Sequence, residues 1–183
     1  MNRRKSLKII GGTALGIAGL VMVDWKWQLT DQLTHKGFFT VKEEKLIASI
    51  ADTIIPAGLP PKVPSLDSKP IGALSTGTDK FLIRLFEHCY EPEEQNLIKS
   101  HLVQIQEDAA SLLGQPFEKA SQEDREKLLT QWAEASDEGK KKFFDLMKAQ
   151  TIVGFTTVKE VMADYRGYKV APGYFHGCVD VQA

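Results

Sequence analysis

From residue 40 onward the apolar positions recur at spacings of three and four, the period of one face of a helix. Leu46, Ile47, Ile50, Ala51 and Ile54 make the first stripe. It follows Thr40-Val-Lys-Glu43, a capping-box pattern in which the threonine hydroxyl accepts from the Glu43 amide and the carboxylate reaches back. Pro56 lacks an amide donor and disfavours helix before it, so the spacing predicts a helix over 41–54. Phe81, Leu82, Leu85, Phe86 and Cys89 mark a second helix, with a cap expected at Thr78 or Asp79. Pro92 suits the first turn of a third, whose stripe is Leu97, Ile98, Leu102, Ile105, Ala109 and Leu112 and whose stop is Gly114. Ser121-Gln-Glu-Asp124 opens a fourth, with Leu128, Leu129 and Trp132 inside. Phe143, Phe144, Met147 and Ile152 indicate a fifth, from Lys140 to Val153, ending before Gly154, and a short helix is expected near Thr157 to Ala163. No alternating strand pattern is comparably strong. The expected fold is all-α, five to six helices in an irregular orthogonal or bundle-like array.

Two stretches lack either period. Residues 56–77 read PAGLPPKVPSLDSKPIGALSTG, a long Pro/Gly-rich loop. Such loops are either functional or plain surface excursions, and both readings stand. Residues 165–183 form a non-helical tail carrying Tyr165, Tyr168, Pro172, Gly173, Tyr174, Phe175 and Gly177. Its aromatic side chains are candidate anchors for a partner, the alternative being that they pack on the chain's own helices.

The first 27 residues are patterned differently. Arg3, Arg4, Lys5 and Lys8 precede a run without charge, IIGGTALGIAGLVMV, from Ile9 to Val23. As a helix these residues would rise about 22 Å, short of the roughly 30 Å hydrocarbon core of a bilayer. The paired Arg3 and Arg4, then Leu7 and Lys8, then a glycine-bearing apolar core, look like a twin-arginine export signal. Asp24-Trp25-Lys26-Trp27 stands where a small-residue cleavage site would be sought, so the signal can be retained as an inner-membrane anchor, with Trp25 and Trp27 either at the membrane interface or packed on the domain. The expected organisation is a signal over 1–27 and a helical domain over 28–183, exported to the periplasm.

Composition narrows the chemistry. The 183 residues suit one domain plus a targeting segment, with 43% hydrophobic side chains for a core. Lys plus Arg number 23 against 24 Asp plus Glu, so the excess of positive charge that a nucleic-acid backbone demands is missing. His35, His88, His101 and His176 form no metal-binding spacing, and no phosphate loop, dinucleotide fingerprint, nucleophile elbow or haem motif occurs. The acidic pairs Glu43-Glu44, Glu93-Glu94 and Glu123-Asp124 lie at expected helix starts, where the helix dipole favours them. The chain is expected to bind no metal or cofactor itself. Cys89 and Cys178 are an even pair in a disulfide-permissive compartment; a bridge and two separate thiols both remain open.

Several segments together resemble the small subunit (subunit 3) of gluconate 2-dehydrogenase and related membrane-associated flavin-dependent sugar and polyol dehydrogenases. They are the twin-arginine start, Ala48-Ser-Ile-Ala-Asp-Thr-Ile-Ile-Pro56, Cys89-Tyr-Glu-Pro-Glu-Glu-Gln95, Phe143-Phe-Asp-Leu-Met-Lys148, Gly154-Phe-Thr-Thr157 and Pro172-Gly-Tyr-Phe-His-Gly-Cys178. The resemblance implies a non-catalytic subunit that binds, matures and escorts a large flavoprotein of the glucose-methanol-choline type. FAD would sit in that partner, electrons would pass on to a cytochrome c subunit, and Arg3 and Arg4 would address both chains to the twin-arginine translocase. Residues 56–77 look longer than the family's usual turn, and residues 158–171 diverge from it. The competing reading is a free-standing periplasmic binding or structural protein anchored by an uncleaved signal.

Overall fold

The computed structural model describes residues 37–58, 70–169, 171 and 173. The chain divides after Glu43, and the few described residues before that point are taken by themselves. There Thr40 and Glu43 form the expected reciprocal cap: the Thr40 amide donates to Glu43 Oε2 over 2.7 Å and the Glu43 amide to Thr40 Oγ1 over 3.3 Å.

The described residues are helical, without a strand: α1 (Val41–Ile54), α2 (Thr78–His88), α3 (Pro92–Leu113), a 3₁₀ turn (Phe117–Lys119), α4 (Gln122–Ala133), α5 (Glu138–Thr156) and a π-helical turn (Glu160–Tyr165). The all-α expectation holds, and α1 has the predicted bounds. Helix α5 is the element most of the others share, since α2, α3, α4 and the π turn all pack on it. Its buried residues, Phe143, Met147, Thr151 and Gly154, follow one another at steps of four, four and three.

Five expectations are corrected. The cap of α2 is Gly77, at φ 72° in the left-handed region, with no side-chain capping bond. Thr78 cannot serve, because it is buried inside the helix and its hydroxyl lies 2.9 Å from that of Thr76. Leu97 and Leu112 are 58% and 60% exposed although both match the α3 period. Ile98, His101, Leu102, Ile105 and Ala109 form the true inner face, so the two leucines fall at its margins. Ile152 is likewise 42% exposed, and Thr151 takes the buried position beside it. Thr151 can do so because its hydroxyl donates to the Met147 carbonyl over 2.6 Å, so its own donor is paired.

The fourth correction concerns Gly154. It does not stop α5; it lies within the helix, buried, where α2 crosses. A Cβ there would come 2.5 Å from Phe81 Cδ1 and 3.1 Å from Thr78 Cγ2. Glycine costs about 1 kcal/mol of helix propensity relative to alanine, and here the close approach of two helices offsets it. The chain continues past Thr157 into the π turn, where the Arg166 amide reaches the Val161 carbonyl over 3.1 Å, so the short helix expected near Thr157 to Ala163 starts three residues later, ends two later and is wound wider.

The loop over 56–77 is described only at its two ends, and these meet. The Ala73 amide donates to the Ile55 carbonyl over 2.9 Å and the Gly58 amide to the Ile71 carbonyl over 3.4 Å. Gly72 is required at this neck, since a Cβ would stand 2.5 Å from the Ala57 nitrogen.

Candidate functional site

The segments that carried the family resemblance are helix ends and helix crossings. In Cys89–Gln95 the chain turns from α2 into α3. Glu91 and Glu94 form a capping box around Pro92 at the first turn. The Gln95 side chain then reaches back, its Nε2 lying 3.1, 2.9 and 3.1 Å from the carbonyl oxygens of Phe86, Glu87 and Tyr90. One amide thus covers the open carbonyl end of α2, which would otherwise need water. Tyr90 packs edge-on against Phe86, with ring centroids 5.4 Å apart. Burial raises the Tyr90 phenol above its usual range, and Glu94 and Cys89 add to the rise.

The Ala48–Pro56 segment is held in the same manner by α4. Arg125 Nη1 donates to the Ser49 carbonyl over 3.3 Å, and Nη2 lies 3.4 Å from Asp52 Oδ2. Gln122 Nε2 donates to the Thr53 carbonyl over 3.2 Å. Two side chains one turn apart on α4 therefore clasp the last turn of α1.

At the start of α5 the geometry is aromatic. His101 stacks on Phe143 at 5.3 Å with the rings 7° apart, and Trp132 meets both edge-on. Because His101 Nδ1 faces the Leu97 carbonyl at 2.8 Å, that nitrogen carries the proton. Asp108 Oδ2 accepts from Trp132 Nε1 over 2.9 Å and from Lys140 Nζ over 2.6 Å, and the ammonium sits 5.1 Å from the Trp132 ring centroid. The ion pair has both members about a quarter to a third exposed, so its worth is modest and its main effect is to seat the indole. Trp132 stands in a predicted core stripe and His101 is hydrogen-bonded as a histidine without metal partners should be, whereas the burial of His101 and the role of Asp108 carry no periodic signal in the sequence.

Of the residues singled out for function, Cys89 is exposed at the end of α2. Tyr168 is 56% exposed, with its amide on the Met162 carbonyl at 2.9 Å, and Gly173 has φ 87°. Tyr165 closes the π turn. Arg3, Arg4, Leu7, Lys8, Pro172, Tyr174, Phe175, Gly177 and Cys178 lie outside the described residues. The bridge between Cys89 and Cys178 and the tail's contacts thus stay as expectations. Among the described residues no three histidine, cysteine or acidic side chains gather as a metal site, and no helix is long and apolar enough to cross a membrane.

The outer side of α5 changes character midway. Its first half exposes Lys141, Lys142, Asp145 and Lys148, whereas beyond Lys148 the exposed residues are Ala149, Ile152, Val153 and Thr157. Thr156 and Thr157 turn their hydroxyls back onto the Ile152 and Val153 carbonyls, over 2.7 and 2.9 Å.

Compared with known proteins, residues 41–173, well over half of the chain and the whole run of described helices, match a family model described as gluconate 2-dehydrogenase subunit 3. No curated protein and no solved structure matches.

Proposed function

Because the chain belongs to the gluconate 2-dehydrogenase subunit 3 family, we propose that it is the non-catalytic small subunit of a dehydrogenase complex. It binds a larger flavin-dependent dehydrogenase of the glucose-methanol-choline type, helps it mature, and carries it through the twin-arginine pathway to the periplasm. Arg3, Arg4, Leu7 and Lys8 form the address read by the translocase, and FAD belongs to the larger subunit. A cytochrome c subunit then takes the electrons. Family membership is the observation that carries the reading. It is supported by the employment of the polar side chains at the helix junctions, since Gln95, Gln122, Arg125 and Asp108 are engaged with helix ends or with the Trp132 indole. Such groups build a frame. The substrate is that of the larger subunit, and gluconate does not follow from the family's description.

The test is a pull-down of the full chain, tagged at its C-terminus, from its native host, with mass spectrometry and an absorbance scan for flavin. A larger flavoprotein without an export signal of its own should be recovered from the periplasmic fraction. Arg3→Lys combined with Arg4→Lys should leave both chains in the cytoplasm. A lone, colourless protein under mild extraction would overturn the reading in favour of the anchored binding module.

A further inference from the structure

We draw no further inference here: the strongest candidate, the exposed apolar pair Ile152 and Val153 on the outer side of the C-terminal half of α5, is an unpartnered face, and nothing in the structure shows what covers it.

Discussion

Along α5 the first half turns Lys141, Lys142, Asp145 and Lys148 to solvent, while the second turns out Ala149, Ile152, Val153 and Thr157. The inner side is continuous, with Phe143 and Met147 in one half and Thr151 and Gly154 in the other. Both halves are therefore anchored, one on Trp132 and His101 and the other on Phe81 and Thr78. Only the first is dressed for water. Stability and solubility are thus separate demands on the same helix, met by different sides of it.

The largest effect should come from removing the anchor of the first half. Trp132→Ala empties a site where the side chain is almost wholly buried, and unfolding in urea should show a loss of about 3–5 kcal/mol. A change under about 1 kcal/mol would mean that the aromatic cluster is not what holds α5 to α3 and α4. Gly154→Val breaks the anchor of the second half by forcing branched carbons against the Phe81 ring, and overpacking of this kind costs about 1–3 kcal/mol. A neutral result would show that α2 can slide away, and that the close crossing is not required. The smallest effect sharpens the contrast most. Ile152→Ser with Val153→Ser should move the folding free energy by no more than about 0.5 kcal/mol, the range of ordinary surface changes. A drop of several kcal/mol would place these two side chains in the chain's own core and end the distinction between the sides.

Much of this fold could be read in advance where a residue's chemistry permits one structural use. Thr40 with Glu43, Ser121 with Asp124, Pro92 at a first turn and Gly114 at a helix end have few other employments, and each stands where the pattern placed it. Gly154 was misread because a stop and a close crossing call for the same residue, and only the arrival of Phe81 decides between them. Hydrophobic period overstated Leu97, Leu112 and Ile152, since a stripe in sequence does not say how wide the neighbouring helices are. It passed over His101 and Thr151, polar residues that enter the core by bonding to a carbonyl four residues back. Ile152 matches the inner period of the sequence, and only burial in three dimensions reveals that it faces out beside Val153.

The neck at Ile55–Ala73 has a consequence for how such a gene can change. Its two ends are tied by main-chain bonds and by the fit of Gly72 against Ala57, so the helices on either side are held at a fixed spacing by the neck. Closing a longer segment over a fixed base adds only about 0.6 kcal/mol for each doubling of its length. A gene that changes length between these ends must therefore keep Gly72 and the two main-chain bonds of the neck if the flanking helices are to hold their spacing.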